Sequence, residues 1–431
     1  MTIHPPFVPA RRIAIVGGGI SGMAAAYLLA DHAQVTLFEA GKTLGGHART
    51  VTAGLRGDQP VDTGFIVFNY VNYPHLTRMF DDLNVPVAKS DMSFGATIDN
   101  GTVEYGLRDL RAVVAQPSNL GRPKFLRMIR DIARFNAQAE AVSDAADLTT
   151  DELIEQMNLG SWFRRYYLLP ICGAIWSTPP SEVGRFPARA LVRFFRNHAL
   201  LSASGQHQWW TVDGGSVEYV RRLSAHLARL GVELRAATPV QSVQRDPLGV
   251  TVQARGCTPE RFDDVIFACH SDDALRLLAQ PTPSERAALG DLKYQDNQAI
   301  LHRDAGQMPR RKGAWSSWVY KSESVGQEPA IGVTYWMNRL QNIPQDDPLF
   351  VTLNPSVPVR EDLIYDEKTF RHPVFDGPAM RAQGDIAAIQ GQNRTWFAGA
   401  YLRHGFHEDG FASAVRVVRQ MDAAPAALMR A

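Results

Sequence analysis

Residues Arg11 to Thr50 read RRIAIVGGGISGMAAAYLLADHAQVTLFEAGKTLGGHART, and this stretch decides the fold. Ile13 to Val16 is a short continuous apolar run, the pattern of a parallel strand buried on both faces. It leads straight into Gly17, Gly19 and Gly22, spaced G-x-G-x-x-G. In such a turn the first glycine permits a tight reversal and the second lets the backbone approach a pyrophosphate. The third lets the following helix pack closely on the sheet. The helix expected from about Ile20 to Asp31 opens with Ile20 and Ser21, and it aims its N-terminal amides and positive dipole end at phosphate. A second apolar strand, Val35 to Phe38, ends in Glu39 and Ala40. A carboxylate placed there accepts both ribose hydroxyls of an adenosine. A glycine triplet alone is weak, because such turns also merely end strands. Two strands, a helix and an acid at the right distance make the pattern specific for a dinucleotide.

The continuation Leu44-Gly45-Gly46-His47-Ala48-Arg49-Thr50 resembles the flavin-containing amine oxidase and phytoene desaturase superfamily, whose members follow the ribose acid with G-G-R-x-x-T beside the diphosphate. His47 stands here where the arginine is usual. Val61-Asp62-Thr63-Gly64-Phe65 resembles the superfamily's turn beside the flavin ring, although Asp62 has the plainer alternative of bonding its own turn. Trp396-Phe397-Ala398-Gly399-Ala400 looks like the family's F-A-G strand, with Ala400 in place of the usual acid. Gly410 and Phe411 fall at the family's flavin-facing helix start, where backbone amides would stabilise negative charge on the ring. The resemblance implies FAD. It adds Gly45, Gly46, His47, Thr63, Gly64 and Phe65 to the first turn, together with Val240, Gly399, Ala400, Gly410 and Phe411. In similar flavoproteins the valine at the position of Val240 offers its backbone to adenine.

A chain of 431 residues with 45% apolar content is too long for one simple core, so two domains are expected. The fold class is α/β: a discontinuous Rossmann-like FAD-binding domain with a parallel sheet and a small antiparallel sheet, carrying an inserted α+β substrate domain. Residues 1–65, 205–275 and 376–431 are assigned to the first, 66–204 and 276–375 to the second. The alternating Val240, Val243, Val250, Val252 and Ala254, followed by the apolar run Val265 to Cys269, suit a three-stranded antiparallel sheet. Ile331 to Asn338 and Leu349 to Leu353 read as strands flooring the substrate pocket. Tyr167 to Pro180 and Trp209 to Gly215 read as loops and helix ends around it. A final helix runs to about Met421, with an Ala-rich frayed tail from Asp422.

The net charge of +1 gives no case for nucleic acid. Cys172, Cys257 and Cys269 lie far apart without C-x-x-C, which argues against disulfides or a metal site and places them in the core. No leader-like segment and no apolar run of about 18 residues is present, so a cytoplasmic protein is expected. Two basic amphipathic stretches, Arg122 to Gln138 and Arg185 to Leu201, have two readings. Their apolar faces pack inward, the preferred reading, or they give peripheral contact with an anionic bilayer.

The strings VDTGFIVFN, HPVFD, TYWMNRLQ and FHEDG look like a bacterial subgroup of the superfamily, and like the flavoprotein extension of some plant cyclopropane fatty acid synthases. That similarity implies a lipid acyl chain as substrate. Amine oxidases of the superfamily place a lysine on the strand that here reads Asn297-Gln298-Ala299-Ile300-Leu301, and an aromatic cage residue where His407 stands. No second G-x-G-x-x-G follows the first, which points to oxygen or a carrier as electron acceptor. His407 is the first candidate for a general base or substrate anchor, and His372 the second. Glu408 and Asp409 read as helix caps, Asp409 most clearly, and Trp209 and Trp210 as core. The reading is an FAD oxidoreductase that oxidises or desaturates an apolar substrate. The alternatives are an amine or polyamine oxidase and a flavin-binding partner module without turnover of its own.

Overall fold

The computed structural model describes residues 11–145, 148–176, 183–197, 207–323 and 330–428. A parallel sheet of five strands runs in the order Glu233–Arg235, Ala33–Phe38, Arg11–Val16, Asp264–Phe267 and Thr395–Phe397. Because side chains alternate along a strand, this sheet feeds two cores. Ile13, Ile15, Val35, Leu37 and Ile266 face one side, where they meet helices Ile20–Leu29, Val217–Arg229 and His407–Leu428. Ala14, Val16, Val265 and Phe267 face the other, against the antiparallel sheet and helix Gly377–Ile389. Helix Ile20–Leu29 buries Met23, Ala24, Ala25, Ala26 and Leu29, small or apolar residues that let it sit tightly between sheet and neighbouring helix.

The antiparallel sheet consists of Val240–Asp246, Gly249–Ala254 and Glu260–Phe262. The run at Val265 is not its third strand, as the sequence suggests; it lies in the middle of the parallel sheet. Its residues are buried without alternation, which is the pattern of a strand covered on both faces.

A seven-stranded sheet takes Phe94–Ile98 and Val103–Gly106 from the first half of the chain. The rest come from the second half: Lys293–His302, Trp318–Glu323, Ala330–Trp336, Phe350–Leu353 and Ile364–Val374. Beside it stands a helical layer whose core holds Phe125, Phe135, Phe163, Tyr167 and Phe195. Tyr167 is not in a loop. A π-turn over Arg164–Leu168 continues into helix Leu169–Trp176, and Ser177 to Pro180 lie outside the described residues. Trp209 and Trp210 belong to strand Trp209–Val212 rather than to a loop. The last helix reaches Leu428, beyond the expected end at Met421; residues 429–431 of the expected tail lie outside the described residues.

Both basic amphipathic segments pack an apolar face inward, with Leu126 of the first left exposed. Phe125, Met128 and Phe135 of helix Pro123–Ala145 and Leu191, Val192 and Phe195 of helix Ala188–Asn197 are buried in the helical core. Arg127 and Arg134 both reach Asp131, whose carboxylate is fully buried. Residues 198–201 of the second segment lie outside the described residues. Among the described residues no helix is long and apolar enough to cross a membrane.

Candidate functional site

Each glycine of the first turn has a separate geometric reason. Gly17 has φ +113°, and a Cβ there would lie 2.7 Å from the Ala268 carbonyl oxygen. At Gly22 a Cβ would come within 1.9 Å of the Gly17 oxygen, so only glycine lets the helix close on the turn. Gly19 differs: the nearest atom to a Cβ there is Gly46 Cα at 3.9 Å. The protein itself leaves that approach open, which is the cradle a pyrophosphate requires.

The turn at Gly45 and Gly46 is tied to the first one, with Gly45 N–H donating to Gly18 O at 2.9 Å. The Thr63 to Phe65 turn is tied in turn to this one, since Phe65 N–H donates to His47 O at 2.8 Å and Thr63 N–H to Arg49 O at 2.9 Å. A Cβ on Gly64 would lie 2.0 Å from the His47 oxygen. Glu39 accepts from Gly18 N–H at 2.7 Å and Gly41 N–H at 2.6 Å, which holds its carboxylate at the end of the strand. Beside it is a cavity of about 500 Å³ lined by Gly17, Glu39, Ala40 and Val240, with Arg255 and Arg276. These residues fit FAD: the glycines leave room that a diphosphate would fill, Glu39 would receive the ribose, and the cavity at Val240 would take the adenine.

The ring-binding end departs from expectation at the final helix. Its first residue is His407, and Gly410 N–H is already bonded to Phe406 O at 3.1 Å. Gly410 therefore offers no free amide. Its role is close packing, because a Cβ there would sit 2.8 Å from Ser21 Oγ and 2.9 Å from Ile20. Phe411 is buried and stacks on His75. Gly399 N–H is held by Ser413 Oγ at 2.9 Å, and Ala400 opens a short turn that Gly405 N–H closes on the Ala400 oxygen.

His270, His47 and His372 are neighbouring imidazoles from distant segments, and a fourth, His407, is linked to His47 through Phe65, which stacks on His407 and bonds the His47 oxygen. His47 lies 5.4 Å from His372 and 6.2 Å from His270, ring centre to ring centre. His407 stacks on Phe65 at 3.9 Å and 9°, and its Nε2 shares a 2.7 Å hydrogen bond with Tyr219. Each of the four is half-buried, neither enclosed nor open to solvent. Burial pushes His47 and His407 down to about 3 and His372 to about 4, with neighbouring imidazoles adding to the effect; His270 moves in the same direction. All four are therefore neutral at physiological pH. The sequence placed His372 and His407 here, but it missed His270, which follows a cysteine at the end of a buried strand and carries no motif.

The carboxylates near this cluster have other tasks. Asp62 is fully buried, and it does not bond its own turn. It accepts from Thr50 Oγ1, from Ser216 N and Oγ and from Gln341 Nε2, locking three segments together. Burial nonetheless pushes it up to about 6. Glu408 accepts from His75 N–H and Leu76 N–H, both at 3.0 Å, and so caps helix Pro74–Asp82 rather than its own helix. Asp409 accepts from His404 and Phe406 N–H in the approach to the helix it belongs to. His270, Asp272 and Asp273 are close enough together for a cation, but Arg371 pairs with both carboxylates. Of the cysteines expected in the core, Cys172 is buried, Cys269 half-buried and Cys257 exposed, in the turn before Glu260–Phe262.

Comparison with known proteins agrees with this architecture. A coproporphyrinogen III oxidase of Mycobacterium tuberculosis is 32% identical over 163 residues, 34% of each chain, so this protein spans about a third of the length of the curated relatives it matches. Among solved structures, the fatty acid isomerase of P. acnes superposes with a TM-score of 0.65 at 14% identity, over 96% of this chain and 99% of that one. The cyclohexylamine oxidase of Brevibacterium oxydans superposes with a TM-score of 0.65 at 15% identity, over 96% and 100%. At those identities the likeness is one of fold. The model of the family of flavin containing amine oxidoreductases matches residues 20–304, well over half of the sequence. The chain therefore belongs to that family and is an FAD-dependent oxidoreductase.

Proposed function

We propose that the chain oxidises a carbon–hydrogen bond of an apolar substrate, and that this substrate is a lipid acyl chain. Bound FAD supplies the hydride acceptor. The chain's own residues are left to position the substrate, exclude water and take up a proton. The observation that carries the reading is the cluster of half-buried neutral imidazoles, interleaved with Phe65, Phe370 and the Tyr294 ring that stacks on His270 at 4.3 Å. Rings and uncharged imidazoles suit an apolar chain, and a neutral imidazole is able to accept the proton that desaturation releases.

Amine oxidation is the runner-up. The strand position where superfamily amine oxidases resemble one another in carrying lysine is Asn297 or a neighbour. The cage position is His407, whose ring face is already covered by Phe65 at 3.9 Å, and this weighs against a substrate amine between two rings. The named relatives span fatty acid, amine and porphyrinogen chemistry, so the fold alone does not select. The test is anaerobic addition of unsaturated and methyl-branched acyl lipids, and separately of simple amines, to the flavin-loaded protein. Bleaching of the flavin band by lipids alone is expected. Bleaching by amines alone overturns the acyl reading, and bleaching by neither points to a module without turnover.

A further inference from the structure

A chain of hydrogen bonds running between two strands ends on His372, and its direction is fixed by the backbone. Gln298 N–H donates to Asn354 Oδ1 at 2.9 Å, while Gln298 O accepts from Asn354 N–H. A backbone N–H only donates, so it dictates which end of the Asn354 amide faces it. Asn354 Nδ2 therefore points onward and donates to Asn297 Oδ1 at 2.7 Å. Asn297 is fully buried, and its Nδ2 donates in turn to His372 Nδ1 at 2.9 Å. The second hydrogen of that Nδ2 faces Gln295 O at 3.5 Å, in agreement with the same orientation. Nδ1 of His372 receives a hydrogen bond and so carries the lone pair. In the neutral ring the proton then sits on Nε2, at the distal edge.

The local structure is built to hold this order. Asn354 follows strand Phe350–Leu353, one step beyond the Ala299–Leu353 pair, and has φ +46°. Asparagine tolerates that left-handed region better than most residues. Protonating His372 would set Nδ1–H against the Asn297 NH₂; burial, with His270 adding to it, already pushes the ring down to about 4 and so keeps it neutral. The His372 ring lies 5.4 Å from that of His47, whose Nε2 is buried without a hydrogen-bond partner.

We propose that Asn354 and Asn297 are positioning residues that hold His372 as a fixed Nε2–H donor, and that this donor selects substrates bearing an oxygen acceptor, the carboxylate or ester carbonyl of an acyl chain, over amines. The inference rests on the reading of this cluster as the substrate site. A donor-only nitrogen bonds a carboxylate or carbonyl oxygen, and more strongly when that oxygen is charged. It has no lone pair for an ammonium, the form in which an aliphatic amine is present at neutral pH.

The experiment uses the flavin-loaded full chain labelled with ¹⁵N in its imidazoles, with the His372 signals assigned by their loss in His372→Gln. Wild type should show a bare Nδ1 and a protonated Nε2. Asn297→Asp puts an acceptor opposite Nδ1 and should move the proton there. Asn354→Asp should do the same from two residues away, by turning the Asn297 amide round so that its oxygen faces the ring. A long-chain fatty acid and its methyl ester are then titrated while the flavin absorption spectrum is followed. Both variants should bind them about tenfold or more weakly, about 1.4 kcal/mol. A larger loss for the acid than for the ester identifies the carboxylate as the acceptor, and equal losses identify the carbonyl. A wild-type ring protonated on Nδ1 overturns the relay. A correct tautomer with unchanged acyl affinity in both variants overturns the selection. If neither acyl compound perturbs wild type, the selection falls together with the acyl reading above, whereas the nitrogen signals judge the relay alone.

Discussion

Between Gly17 and His47 a single short stretch supplies most of the proposed dinucleotide site, whereas the imidazole cluster draws its four rings from positions 47, 270, 372 and 407. The first is specified by backbone geometry: positive φ at Gly17, Gly45 and Gly46, and contacts that leave no room for a Cβ at Gly17 or Gly22. The second is specified by packing, because burial, with neighbouring imidazoles adding to it, keeps its rings neutral far below the pH at which free imidazoles protonate. A site written in backbone is intolerant of single methyl groups. A site written in packing is tuned by its neighbours.

The sharpest way to break the contrast lies within the first turn. Gly22→Ala forces a Cβ to within 1.9 Å of the Gly17 oxygen and should destabilise the fold by about 3 kcal/mol, read as a lowered thermal midpoint. At Gly19 the Cβ of a valine meets almost nothing in the protein itself. Gly19→Val should therefore leave the apoprotein's midpoint near wild type while flavin affinity drops about a hundredfold, about 2.8 kcal/mol. If Gly19→Val purified fully yellow, the diphosphate would not lie at this turn.

In the cluster the next effect is on turnover. His407→Phe keeps a ring against Phe65 but removes the nitrogen bonded to Tyr219. Once a substrate is in hand, kcat should fall on the order of a hundredfold with FAD retained, the scale of a lost acid or base. Both variants leave the buried Tyr219 hydroxyl without that partner, at about 1–3 kcal/mol, and His407→Ala should be the less stable of the two because it also removes the ring stacked on Phe65. Unchanged kcat in a folded His407→Phe protein would make His407 purely structural.

These two regions were unequally legible. Strand, turn and acid around Glu39 follow from local spacing, so α/β class and cofactor could be read directly. The chain passes through the parallel sheet three more times, at 233–235, 264–267 and 395–397, and there the run at Val265 was assigned to the wrong sheet. An apolar run of four residues does not say which sheet it enters; only its partners do. At the cluster, His372 and His407 stood out because histidine is rare beside a family-like motif. His270 did not stand out, and nor did the Asn354 to Asn297 relay, because asparagines in register on neighbouring strands leave no periodic trace. Glu408 was read as a cap, and it caps a helix more than 300 positions away in sequence.

A pH series sharpens the claim that burial holds the cluster neutral. His47 has a folded pKa of about 3 against about 6.5 in the unfolded chain. Between those values the unfolded state binds a proton that the folded state refuses, so its stabilising contribution is complete above about 6.5 and is lost as pH falls toward 3. Glu408, pushed up to about 7, and Asp62, up to about 6, act with the opposite sign: theirs is lost as pH rises toward those values. The useful measurement is therefore a difference. The thermal midpoint of His47→Gln relative to wild type should rise steadily as pH is lowered from 6.5 to 4.5. A flat difference would mean that His47 titrates as if exposed.

The smallest effect concerns the tie between the regions. Arg49 belongs to the glycine turn, yet its guanidinium bonds Asp366 on the edge strand of the seven-stranded sheet at 2.6 and 3.0 Å, and Thr63 Oγ1 at 3.1 Å. Both partners of the pair keep some exposure, so water screens it and its worth is at most about 1 kcal/mol. Arg49→Lys keeps the charge but not the planar fork that reaches two oxygens of one carboxylate and a hydroxyl at once. FAD content should therefore stay near wild type, while the midpoint falls by a degree or two and the shift shrinks in high salt. A loosened arginine reaches the flavin turn through Thr63, whose N–H bonds Arg49 O and whose Oγ1 receives the guanidinium, and the amide bond persists in Arg49→Lys. A marked loss of FAD from Arg49→Lys would show that the packed half of the site holds the backbone half in place, and the contrast drawn between them would no longer stand.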